Sequence, residues 1–151
     1  MKKGILYGLS HFSWFQYKKC GRTTQSINKR ISNLKTSLLG NIDIIYTTNI
    51  LLDCYFYEYL MKQILKNYRL KPNKEMFHVY EEELKMIFDF FNEMNLKFDT
   101  TEKLNWYILN HHPEYLNKKR KNIKKESSSS DKLKKKKKKG LFVDTSYKNT
   151  N

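Results

Sequence analysis

Two cysteines in 151 residues, Cys20 and Cys54, cannot form a disulfide framework, so the chain reads as intracellular with two free thiols. No stretch reaches the ~18 apolar residues that a membrane-spanning helix needs. Lys2-Lys3 and the partly apolar run after them imitate a signal peptide, but Ser10, His11 and Gln16 interrupt the run and no small-residue cleavage site follows. The four histidines, His11, His78, His111 and His112, stand at no spacing with the cysteines that suits a closed zinc site of about four ligands. Repeats at a solenoid period, lipidation motifs and an obvious dimerisation motif are also missing. These absences speak against a secreted disulfide scaffold, a helical membrane protein, a zinc finger and a repeat array.

Acidic charge is the other shortage. Thirty Lys and Arg stand against 15 Asp and Glu, a net charge of +15, and the imbalance is local. Residues 1–117 hold 16 basic against 12 acidic side chains, whereas 118–140 hold 13 against 2. With 15% aromatic residues, the first part can build one core. Residues 118–151, with four serines and the run Lys134, Lys135, Lys136, Lys137, Lys138 and Lys139, carry too little apolar surface to fold alone and are expected to be disordered. Such a tail suits a polyanion: nucleic acid, with strong salt dependence, or an anionic membrane, the lesser option because no amphipathic helix accompanies the charge. The same run reads as a nuclear-localisation signal, the alternative being cytoplasmic residence, and a solvated tail with no fixed job stays open.

In the first part, Ile5–Leu9 and Phe15–Cys20 read as an antiparallel hairpin, with Gly21 ending the second strand. Thr23, Thr24 or Ser26 caps a helix whose Ile27, Ile31, Leu34 and Leu38 recur at helical spacing until Gly40 stops it. Ile42–Tyr46 is a third strand. Leu51–Tyr68 is a helix apolar on more than one face, Leu70–Lys74 a loop with Pro72 and Asn73, and Met76–Val79 a short apolar element. Glu81, Glu82 and Glu83 suit the start of the next helix, whose Leu84, Ile87, Phe88, Phe91 and Met94 face a core. Thr101 begins a last helix that Pro113 interrupts. The expected division is a folded domain over 1–98, an accessory helical segment over 99–117 and the tail over 118–151.

The hairpin and first helix could bring the phenol of Tyr7, the ammonium of Lys19 and the guanidinium of Arg30 to one surface, which would suit a phosphodiester. The triplets Ile5-Leu6-Tyr7 and Lys19-Cys20-Gly21, continued by Arg22-Thr23 and Lys29-Arg30, with Glu58 on a later helix and Tyr68-Arg69 before Met76-Phe77-His78-Val79, resemble the GIY-YIG nuclease superfamily. Within it they look most like the phage and large-DNA-virus branch called the orf172-type DNA-binding domain, over about residues 3 to 95. The resemblance implies an α+β fold with a small three-stranded antiparallel sheet flanked by helices, and an endonuclease that cuts nucleic acid, DNA rather than RNA, with one Mg²⁺ or Mn²⁺ ion. It implies catalytic roles for Tyr7, Lys19, Arg30 and Glu58, with Glu58 as the metal ligand. Lys19 stands where the second tyrosine would be, and Leu34 where some members carry histidine.

On chemical grounds Tyr7 as general base needs a pKa well below its usual value of about 10, which Lys19 could provide from the neighbouring strand. Arg30 would hold the scissile phosphate, and Arg22 and Lys29 would contact backbone phosphates. The plainer alternatives are Glu58 as the wet face of a helix, Arg30 as a surface arginine, Tyr7 as a buried tyrosine satisfied by hydrogen bonding, and Lys19 as a phosphate contact only. The tyrosines at 55, 57 and 59 could stack on bases but fit a helix core better. Besides the endonuclease, a catalytically inactive DNA-binding module on the same fold and a basic packaging protein are the competing functions.

Overall fold

The computed structural model describes residues 1–35, 40–71 and 74–117. Leu38, Pro72, Asn73 and the tail with Lys134 to Lys139 lie outside the described residues. The chain divides into two compact units, Met1–Tyr107 and Ile108–Asn151. The first is an α+β unit built on an antiparallel sheet: β1 (Ile5–Ser10), β2 (Tyr17–Thr23), β3 (Asp43–Thr47) and β4 (Met76–His78), in the order β3-β1-β2-β4. Its helices are α1 (Ile27–Lys35), α2 (Cys54–Ile64), α3 (Glu81–Lys97) and the larger part of α4 (Thr101–His111). Of the second unit, the last turn of α4 and the helical turn at 113–117 are described, with Ile108 and Tyr115 buried.

Four strands replace the three expected. Met76–His78 pairs with Tyr17–Lys19 and extends the sheet beyond β2. β2 also runs further than expected, through Gly21 to Thr23, so Gly21 is interior to the strand and does not end it. Its register explains the glycine. Gly21 stands opposite Tyr7, and a β-carbon there would lie 2.8 Å from the Tyr7 hydroxyl oxygen. A glycine inside a strand marks a close approach of this kind.

Alternation along β1 sends Tyr7 and Leu9 to one face and Leu6 and Gly8 to the other. On the first face Ile31 of α1 and Ile42 close over Tyr7 and Leu9, with Ile27, Leu34 and Trp14 at the margin. On the second, Leu84 of α3 packs so tightly over Gly8 that a β-carbon would strike it. Tyr57 of α2 is fully buried against Phe91 of α3, ring centroids 5.5 Å apart, so α2 and α3 share one core. Hydrophilic side chains of α3 hold the chain around β3: Tyr46 donates to Asp89 at 2.8 Å, while Asn92 and Asn95 accept the backbone N–H groups of Asn49 and Leu52. Both faces of β1 are thereby covered, by α1 on one side and by α3 on the other.

Candidate nucleic-acid interface and hydrolytic site

Tyr7 and Arg30 meet. The ring of Tyr7 is buried, and its hydroxyl oxygen accepts a hydrogen bond of 2.9 Å from Arg30 Nε of α1, which covers the same face of the sheet. Periodicity accounts for this: Ile27, Ile31 and Leu34 turn one face of α1 to the sheet, and Arg30 sits at the margin of that face. Leu34 packs against the apolar cluster that holds Tyr7, Leu9, Ile31 and Ile42.

Burial pushes the Tyr7 phenol above its usual pKa, outweighing Arg30, which pulls it down. This reverses the expectation that Lys19 would lower it. Lys19 is turned instead to Glu75, Nζ to Oε2 3.5 Å. Since the Tyr7 oxygen accepts from Arg30, its own proton remains to donate, and at neutral pH Tyr7 is a hydrogen-bond donor with a fixed neighbour.

Glu58 lies on α2, nearly buried, and both of its oxygens face cations. Arg22 Nη1 donates to Oε2 at 2.9 Å, and Lys62 Nζ, one turn along α2, is 3.0 Å from Oε1. The second contact is an ion pair without hydrogen-bond geometry, which leaves Oε1 buried with no hydrogen bond. Lys62 is also 3.6 Å from Glu75 Oε1. The five side chains Lys19, Glu75, Lys62, Glu58 and Arg22 thus form a row of alternating charge. Lys19 and Arg22, three residues apart on an extended strand, leave opposite faces of β2. The row passes from one face to the other around the edge of β2, where β4 begins opposite Lys19.

Beside this row an open groove of about 310 Å³ is lined by Arg22, Thr23, Thr24, Gln25, Arg30, Asn33 and Tyr55. The guanidinium carbon of Arg22 lies over the Tyr55 ring, 3.6 Å from its centroid, so Tyr55 is a floor for Arg22 while Tyr57 alone of that pair is core. Two guanidiniums, two amides and three hydroxyl-bearing side chains without a carboxylate in the lining make a surface for an anion. Lys29, next to Arg30, is exposed and contributes nothing to the lining.

The chain therefore brings Tyr7, Arg30, Arg22 and Glu58 together, and Lys19 joins them through Glu75. Glu75 and Lys62 escaped the sequence reading. Lys62 had one signal, its place four residues after Glu58 on a helix. Glu75 had none, because a lone acid between a loop and a three-residue strand looks like any solvated carboxylate.

A family model described as T5orf172 domain matches residues 4–92, well over half of the chain. The chain belongs to the T5orf172 domain family. The T5orf172 domain is phage-associated and of DNA-binding or nuclease-like character, and its span here takes in every residue of the charge row and the groove. No curated protein and no solved structure matches the chain. Among the described residues no helix is long and apolar enough to cross a membrane.

Proposed function

We propose that this T5orf172 chain binds DNA and hydrolyses a phosphodiester in it, as an endonuclease of the GIY-YIG type with one Mg²⁺ or Mn²⁺ ion. The observation that carries the reading is the hydrogen bond between Tyr7 and Arg30 at the edge of a groove that Arg22 also lines. A phosphate in the groove would meet Arg22 and Arg30 side by side, and their planar forks suit its oxygens and the charge that grows on them during attack. Tyr7 keeps the Arg30 fork in place and has a proton with which to hydrogen-bond a phosphoryl oxygen. Lys19 neutralises charge from the neighbouring strand. Lys29 and the lysines at 134 to 139 would add phosphate contacts without sequence preference.

The cation would rest on Glu58. Its Oε1 is buried and lacks a hydrogen bond, which suits a hard ion that takes one or two protein carboxylates and completes its shell with water and phosphate oxygens. When bound, such an ion supplies an activated water and neutralises the phosphoryl charge.

One observation favours a second reading, a DNA-binding module that does not cut: each Glu58 oxygen already has a cation within 3.0 Å. Supercoiled plasmid separates the two. With Mg²⁺ or Mn²⁺ the wild type is expected to produce nicked circles, and Glu58→Ala to do so at least about 10²-fold more slowly. Glu58→Ala should still retard DNA in a gel, at least as strongly as wild type, because it removes an acid from between Arg22 and Lys62. Retardation by both proteins with no nicking by either overturns the enzyme reading in favour of the binding module.

A further inference from the structure

Lys62 places one ammonium between two carboxylates from different parts of the chain, 3.0 Å from Glu58 Oε1 on α2 and 3.6 Å from Glu75 Oε1 just before β4. Two carboxylate oxygens converging on one point are as many protein ligands as an octahedral magnesium or manganese ion commonly takes, water and phosphate oxygens completing its shell. The occupant of that point is the weaker-held of the cations around Glu58. Arg22 is anchored by a hydrogen bond of 2.9 Å and by its place over the Tyr55 ring, whereas Lys62 makes no hydrogen bond to Glu58 and carries its charge on a flexible four-carbon stem. The Glu58 side chain is only 9% exposed, so its Oε1 depends on whatever cation stands beside it.

We propose that Glu58 and Glu75 together form a two-carboxylate site for a divalent cation, that Lys62 is its resident cation in the metal-free protein, and that the ion loads by displacing the Lys62 ammonium. This rests on the metal-dependent reading of the same site and adds to it a second ligand and a competitor. Glu75 is positioned for the role: a β-carbon at Gly21 would lie 3.5 Å from Glu75 Oε2 and 2.8 Å from the Tyr7 hydroxyl, so Glu75 borders the same space as Tyr7. The backbone carbonyl of Glu75 accepts the Cys20 N–H at 3.0 Å, which ties the carboxylate to β2. The displaced ammonium swings out as an exposed phosphate-binding donor, so metal and DNA would load in concert.

Mn²⁺ binding to the full chain without DNA, followed by calorimetry and by the paramagnetic resonance of free Mn²⁺, tests the idea with no reliance on cleavage. Removing the resident cation in Lys62→Met should tighten Mn²⁺ binding about tenfold or more, and Glu75→Gln should weaken it by about tenfold. Lys19→Met removes an equal charge from the other oxygen of Glu75 and should change the affinity less than about threefold, because nothing is displaced there. A Lys62→Met affinity within about twofold of wild type, or equal tightening by Lys19→Met, overturns the displacement. Thermal melts identify a variant that does not fold; if Lys62→Met is one, Glu75→Gln decides alone, and undiminished affinity there overturns the second ligand. Binding by all variants, indifferent to Lys62 and Glu75, sinks this proposal and leaves the metal at Glu58, whereas no binding by any variant sinks both.

Discussion

Gly21 and Tyr7 face each other across β2 and β1, and the side chain that Gly21 lacks is the space that the phenol uses. Gly21→Ala would put a methyl 2.8 Å from the hydroxyl oxygen and 3.0 Å from the carbon that bears it, closer than carbon atoms approach. Because the ring is packed in one cluster with Ile31 and Leu9, the strain is expected to cost about 1–3 kcal/mol in urea unfolding. The displaced hydroxyl should lose Arg30, so plasmid nicking should fall more than DNA retention; a variant with wild-type stability and nicking would show that the ring yields freely. A glycine is plain in any sequence, but whether it ends a strand or admits a neighbour depends on what stands opposite, and that is a property of register. Tyr7 and Arg30 were legible because helical spacing and strand alternation point them inward together. Lys62 and Glu75 acquire meaning only when α2 and the segment before β4 close on each other.

At the scale of elements, β4 shows where local pattern runs out. Three residues are too few for a two-residue period to be counted, so Met76–His78 is visible in sequence only as apolar and its pairing with β2 is a tertiary fact. α1, α3 and α4 were legible from spacing and from the acids at the start of α3. The helix in the long apolar run after Leu51 was legible too, but its bounds were not, since the run opens with a turn capped by Asp53, which accepts the Tyr55 N–H, and ends in a 3₁₀ turn at Lys66–Tyr68. The strength of the β4 attachment lies in Phe77, fully buried and flanked by the Arg69 guanidinium at 5.7 Å. Phe77→Ala is expected to lower stability by about 3–5 kcal/mol, read as a shift of the urea midpoint. It should also slacken the tie between Glu75 and β2; a loss below about 1 kcal/mol would mean that β4 is a loose edge.

For the molecule as a whole, the buried thiols set a direction of pH dependence. Burial pushes Cys20 from 9.0 to about 12, so the folded chain keeps a proton there that the unfolded chain gives up. The stabilisation is fully present below pH 9 and is lost as the pH rises toward 12, at a slope approaching about 1.4 kcal/mol per pH unit for one such group. Urea midpoints at pH 8, 9.5 and 10.5 should decline along this line, and Cys20→Ala should flatten the decline; an unchanged slope in the variant assigns it to other groups, the raised Tyr7 among them. The fold class and the basic character of the chain were legible in composition and order, whereas the count of strands and the arrangement of the charges were not. That arrangement has a parity. The row from Lys19 to Arg22 begins and ends on a cation, three positive charges enclosing two negative ones, so an anion can join at either end without breaking a pair. A phosphate entering the groove beside Arg22 becomes the sixth member of the sequence, and the row that held the protein's own charges in order goes on to count the backbone of its ligand.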